Sequence, residues 1–170
     1  GVAFTPQLLR LMGGSEGDIA RVEPVLSAMS AKRVHVGPVG AGHVTKIINN
    51  LLCAAHLLTG AEAVRLARKA GVDPERVLEG VNAGSGRSGV TMVNFPTWIF
   101  NGAFDSGFTM KLMRKDVALA AELMRELGVS MPMADQTTRI WADSALRIAD
   151  EEDFNRIVSL QRSDLGENAQ

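Results

Sequence analysis

The residues richest in chemistry lie in Gly37-Pro-Val-Gly40-Ala-Gly42-His43-Val-Thr-Lys46-Ile-Ile-Asn49-Asn50. A lysine in the first turns of a helix is placed where an amine can exchange a proton. The positive end of the helix dipole and any desolvation both disfavour its ammonium form. Residues four apart share a helix face, so Lys46 and Asn50 project into one space, with Asn49 one step round. This spacing offers a proton-transfer amine beside an amide that orients a substrate. The neighbouring glycines let backbone and ligand approach closely. The same residues also have a plainer use: Lys46 carrying its charge to solvent at the helix start, and Asn50 bonding a carbonyl.

A glycine-rich turn between a strand and a helix also suggests phosphate binding, because helix N-termini hold anions. The order here is GxxGxG and not GxGxxG. No second strand follows the helix, and no acidic residue closes a following strand to hold a ribose. A Walker-type loop fails as well, since no Lys-Ser/Thr pair follows the glycines. His35, His43 and His56 have no carboxylate or cysteine at ligand spacing, so no metal site is expected. Cys53 reads as a small buried hydrophobe. The loop Gly84-Ser-Gly-Arg87-Ser88 either offers hydroxyls, backbone donors and a guanidinium to an anion or is a surface loop. Asp150-Glu-Glu-Asp153 reads as a solvated helix junction with Asp153 as the cap.

Two different rhythms position these residues. Residues 1–36 read strand–helix–strand. The apolar run Leu8–Met12 stops at Gly13-Gly14. A helix then runs from an Asp18 cap to about Met29, with Ile19, Val22, Val25, Leu26 and Met29 on one stripe. Arg33–Val36 alternates like a short strand. From Ala41 onward only helices are expected. The first, 41–70, is about 45 Å long, and its middle is apolar nearly all round, as in a centrally buried helix. Gly71 closes it. Asp73 caps the next helix, with Pro74 in its first turn. A helix through 89–100 is expected to bend or restart at Pro96. The segment 109–127 is amphipathic, with Met110, Met113, Val117, Ala120, Met124 and Leu127 at helical spacing, and Gly128 closes it. A helix from Met133 to Ala149 and a short one at 153–161 follow, and the polar tail 162–170 should fray. The expected fold is mainly α: a helical bundle (37–170) around one long buried helix, preceded by a small α/β remnant (1–36).

Composition narrows the function. The chain has 170 residues, a net charge of −1, one Cys, no Tyr, 2 Trp and 6 Phe. The near-zero charge argues against a basic nucleic-acid face or a polybasic membrane surface. So few aromatics make no stacking platform for bases. One cysteine excludes a disulfide framework, and without tyrosine there is no phenolic acid catalyst. There is no charged start followed by an apolar signal core. The most apolar stretch, 47–67, contains His56, Gly60, Glu62 and Arg65, which suits a buried helix rather than a membrane span. A cytoplasmic protein with neither nucleic acid nor membrane as partner is expected.

Together, Gly37-x-x-Gly40-x-Gly42-x-x-x-Lys46-x-x-Asn49-Asn50 resembles the catalytic segment of the β-hydroxyacid dehydrogenases, the 3-hydroxyisobutyrate dehydrogenase family. Phe108-x-x-x-Leu112-x-x-Lys115-Asp116 resembles a second segment of that family, at a fitting distance. Leu8–Gly14, the 18–29 helix and Val34–Gly37 are similar to the end of its dinucleotide-binding domain. Gly60-Ala-Glu62 and Ala70–Pro74 agree as well. The resemblance implies a two-domain enzyme that oxidises a small β-hydroxyacid, or reduces its semialdehyde, with NAD or NADP. It implies Lys46 as the general acid/base and Asn50 as a hydrogen-bond partner of the substrate. It also implies Lys115 near the nicotinamide end of the cofactor, Asp116 as its local support, and Phe108 walling the cleft. The family's Gly-x-Gly-x-x-Gly segment and its substrate-gripping N-terminal loop are not among these residues. A carboxy-terminal portion is therefore expected, inactive by itself and forming a homodimer through its packed helices. The alternative is a helical dimerisation module with no redox activity of its own.

Overall fold

The computed structural model describes residues 9–30 and 32–160. The expectations for Leu8, Gln161 and the tail 162–170 lie outside the described residues. Two compact units emerge, Gly1–Asn49 and Asn50–Gln170.

In the first unit, strand β1 (Leu9–Gly13) pairs in parallel with β2 (Lys32–Gly37), and α1 (Glu16–Met29) connects them. Arg10 stands opposite Arg33 and Met12 opposite His35, and the register slips after Met12. The helix is capped by Ser15 and not by Asp18. The Ser15 hydroxyl accepts the Asp18 N–H at 3.1 Å, while the Asp18 carboxylate takes the Ser15 hydroxyl and the Arg21 guanidinium, each at 2.7 Å. Both residues are good caps; Ser15 has its acceptor in reach of the third N–H. The apolar stripe of α1 is not fully covered, with Val22 42% and Val25 63% exposed. At Gly42, in the first turn of the following helix, a Cβ would stand 2.6 Å from the Leu11 carbonyl oxygen. Glycine there serves a backbone-on-backbone approach.

Helix α2 (Ala41–Lys69) starts in the first unit and continues into the second. It buries one stripe, Ala54, Leu57, Ala61, Val64 and Ala67, at the three- and four-residue spacing of a single face. Leu52 and Leu66 are 51% and 71% exposed. Burial on all sides, expected from composition, is therefore met on one face. By length and composition alone α2 could also cross a membrane.

The second unit continues with α3 (Pro74–Ala83), a π-helix (Val90–Ile99), α4 (Met110–Leu127) and α5 (Pro132–Asp143). Short 3-10 turns follow at Ser144–Leu146 and Phe154–Ser159. Asp73 caps α3 by accepting the Glu75 N–H at 2.8 Å. Gly71 (φ 73°) and Gly128 (φ 64°) close α2 and α4 in the left-handed conformation, as read from the sequence. Ala54, Leu57, Phe95, Met110, Met113, Val117, Trp141 and Ile157 form the core. The fold is mainly α with a small two-stranded parallel sheet at its start.

Pro96 does not break its helix. A proline lacks the N–H that would serve the carbonyl five residues back in a π-helix, here that of Thr91. The Asn82 side chain supplies the missing donor, Nδ2 to the Thr91 oxygen at 3.1 Å. Ser88 and Thr91 fasten the start of this helix by exchanging N–H and hydroxyl bonds at 2.8 and 3.1 Å. The Ser88 hydroxyl is thereby used in the fold.

Helix α5 ends at Asp143 and not at Ala149, because side chains take its continuing bonds. Ser144 Oγ donates to the Trp141 oxygen at 2.6 Å and accepts Arg114 Nε at 3.0 Å. Arg114 also donates to the Ile148 oxygen and the Asp150 carboxylate, each at 2.7 Å. The acidic run is more than a solvated junction. Its Glu152 and Asp150 carbonyls accept the Met110 and Lys111 N–H groups at 2.8 and 3.0 Å. These bonds satisfy donors that the start of α4 leaves open. Asp153 does cap its short turn, and its buried carboxylate also holds both the N–H and hydroxyl of Ser106.

Candidate active site

Helix α4 presents Met113, Asp116, Val117 and Ala120 along one buried stripe. A carboxylate on such a stripe needs hydrogen bonds to offset its lost hydration. Asp116 is 6% exposed and accepts Nδ2–H of Asn50 at 2.6 Å. The two residues stand 66 positions apart, one on α2 and one on α4. Lys115 Nζ lies 4.0 Å from the other carboxylate oxygen, with its side chain 66% exposed. Asp116 is buried, but at that distance the exposed ammonium is screened by solvent and the contact contributes little. The structure therefore adds a partner that the sequence reading did not name. Asp116, expected to support Lys115, also holds Asn50. The available signal was a lone acid on the otherwise apolar core face of an amphipathic helix.

The start of α4 is fixed from several sides. Thr109 Oγ1 accepts the Leu112 N–H at 3.3 Å, and the 150–153 segment holds Met110, Lys111 and Arg114 as described. Lys115 thus projects from a well-anchored helix. Phe108 precedes that helix and is half-buried. Its carbonyl accepts the Phe154 N–H at 2.9 Å, and its ring meets the Phe154 ring edge-on at 5.3 Å between centroids. Phe108 thus packs in part against the core.

Lys46 sits in the second turn of α2, in the first unit, one helical turn before Asn50. Lys46 and Asn49 are exposed and Asn50 is half-buried. His43 and Arg87 are exposed. Cys53 packs at the edge of the core, where burial pushes its thiol up to about 11. Among the described residues no group of three or more His, Cys, Asp or Glu could hold a metal.

Chemically, the second unit combines an oriented amide, a buried carboxylate and an exposed ammonium. An exposed ammonium on an anchored helix can hold an anionic or carbonyl oxygen of a ligand.

Comparison with known proteins gives a consistent picture. A family model described as NAD-binding of NADP-dependent 3-hydroxyisobutyrate dehydrogenase matches residues 40–161. The chain is 35% identical over 150 residues to 2-(hydroxymethyl)glutarate dehydrogenase of Eubacterium barkeri, covering 88% of this chain and 50% of that protein. It is 31% identical over 167 residues to a probable 3-hydroxyisobutyrate dehydrogenase of Mycobacterium tuberculosis, covering 95% and 56%. A solved Mycobacterium tuberculosis 3-hydroxyisobutyrate dehydrogenase structure with L-serine superposes with a TM-score of 0.81 at 30% identity, over 91% of this chain and 55% of that one. The chain spans about half the length of the curated relatives it matches.

Proposed function

Because the chain belongs to the 3-hydroxyisobutyrate dehydrogenase family, we propose that it is the helical, substrate-side portion of an NAD(P)-dependent dehydrogenase. The reaction interconverts a small β-hydroxyacid and its semialdehyde. One observation carries this reading: the 2.6 Å bond between Asn50 and the buried Asp116, which fixes the orientation of an amide next to the Lys115-Asp116 pair. A pair built only for stability would more simply be apolar on that stripe.

A bound nicotinamide would supply the hydride acceptor for the substrate's carbinol carbon. Lys46 Nζ takes the hydroxyl proton during oxidation and returns it during reduction. Asn50 hydrogen-bonds the substrate and holds it for that transfer. Lys115 would hold the nicotinamide end of the cofactor, with Phe108 as a wall beside it. The remaining contacts to the dinucleotide, and the grip on the substrate carboxylate, come from a dinucleotide-binding half of the kind implied by the relatives' greater length.

The test is an enzyme in which this chain is joined to such a half. There Lys46→Ala should lower kcat by roughly 10²–10⁴-fold, the usual contribution of a positioned acid/base. NAD(P) affinity should stay nearly unchanged. Turnover close to that of the unmodified enzyme would remove Lys46 from the chemistry. The 170-residue chain alone should show no NAD(P)-dependent turnover, and clear turnover would refute that expectation.

A second, compatible role is favoured by an uncovered apolar surface. Leu52, Met131 and Met133 are 51%, 42% and 76% exposed, beside an apolar groove of about 260 Å³ between α2 and α5. Such a patch suits association with a second copy. Sedimentation velocity should show a dimer at micromolar concentration; a monomer there would exclude it.

A further inference from the structure

We propose that Asp116 is a positioning residue that sets which end of the Asn50 amide faces the substrate. This rests on the reading of Asn50 as a substrate partner. An ionised carboxylate only accepts hydrogen bonds, whereas an amide has one donating and one accepting end. With Nδ2 of Asn50 at 2.6 Å from Asp116 Oδ2, the reverse orientation would press two oxygens together. The amide plane is therefore locked, with Nδ2 toward α4 and Oδ1 turned away from that carboxylate oxygen. The bond is charge-assisted and correspondingly strong. Neither partner sits on a loop. Asn50 belongs to a 29-residue helix and Asp116 to an 18-residue one. Asp116 is itself buried, on the stripe of α4 that also carries Met113 and Val117. An amide held this way meets its ligand without first giving up rotational freedom, and such preorganisation strengthens binding. Lys115, 4.0 Å from the same carboxylate and mostly exposed, is the weaker claimant on it.

The experiment has two arms. In the ¹⁵N-labelled chain, the bonded proton of the Asn50 side-chain amide should resonate downfield of ordinary side-chain amides and exchange slowly. Asp116→Ala should return it to the ordinary range and speed exchange about tenfold or more, the scale of one lost hydrogen bond. Asp116→Asn, which keeps an accepting oxygen, should preserve both features. Asp116→Leu replaces the alanine variant if that one does not fold. In the enzyme joined to a dinucleotide-binding half, Asp116→Ala should raise the KM for 3-hydroxyisobutyrate roughly tenfold. The KM for NAD(P) should stay within about twofold of the unmodified value, and Asp116→Asn should recover most of the loss. If Asp116→Asn is as impaired as Asp116→Ala while the Asn50 signal is intact, the carboxylate acts through its charge and the proposal is overturned. If Asn50→Ala impairs substrate binding and Asp116→Ala does not, the positioning role alone falls. If Asn50→Ala leaves KM unchanged, the substrate reading of Asn50 fails and takes the positioning role with it.

Discussion

A methyl group on Gly60 would stand 2.6 Å from Cε2 of Phe95, a ring only 1% exposed in the core of the second unit. Helix α2 and the π-helix therefore touch through a position where only hydrogen fits. Gly60→Ala gains about 1 kcal/mol of helix propensity. It also forces a buried aromatic ring to move, and overpacking of this kind typically costs about 1–3 kcal/mol. The ring cannot swing into solvent, so the second effect should win. Gly60→Ala should be less stable in urea unfolding, and Gly60→Ala combined with Phe95→Leu should recover part of the loss. A gain in stability for the single variant would show that the contact is loose.

Asn82 should matter to the π-helix out of proportion to its partly exposed position. Its Nδ2 serves the Thr91 carbonyl that Pro96 cannot. Removing the donor leaves the carbonyl of a buried residue short of a partner, with a penalty of about 1–3 kcal/mol. Asn82→Ala should lose that much stability. Pro96→Ala, which restores the missing N–H, should make the same Asn82 substitution much milder. The double-mutant cycle in chemical unfolding reads this coupling directly, and simple additivity of the two changes would rule it out.

What the sequence made legible was local. Gly71, Gly128 and Asp73 act where they stand, through left-handed closure and capping, and their roles follow from their neighbours. The strand–helix–strand start and the core stripe of α4 from Met110 to Met124 follow from periodicity in the same way, although Leu127, expected on that stripe, is 66% exposed in the last turn. The structure departed from expectation wherever a distant side chain intervened. Asn82 carries a helix through Pro96, Arg114 and Ser144 end α5 early, and Asp116 meets Asn50 across 66 residues. Ser15 and Asp18 illustrate a smaller limit: both are strong caps three residues apart, and composition alone does not choose between them. The exposed face of α2 is a related case, since hydropathy says that a face is apolar and not what covers it. The motif around Lys46, Asn50 and Lys115 was readable through its resemblance to a family. The partner that orients Asn50 was not, because nothing near either residue in sequence announces it.

Cys53 gives the chain a pH dependence. Burial raises the Cys53 thiol from 9.0 to about 11. At pH 8 the folded chain should therefore hold roughly a hundredfold less thiolate than the unfolded one, and react with thiol reagents more slowly in proportion. The same shift has a stability consequence with a definite sign. Between pH 9 and 11 the unfolded chain releases this proton and the folded chain retains it, so the unfolded state binds fewer protons there. Stability then falls with rising pH, by at most about 1.4 kcal/mol per unit. The contribution is fully present below pH 9 and is lost as pH rises through about 11. Urea unfolding at pH 8 and pH 10.5 should show a steeper decline for the native chain than for Cys53→Ala, in which this proton is absent. Equal declines, together with thiol reactivity matching that of a free cysteine, would show that Cys53 is hydrated in solution.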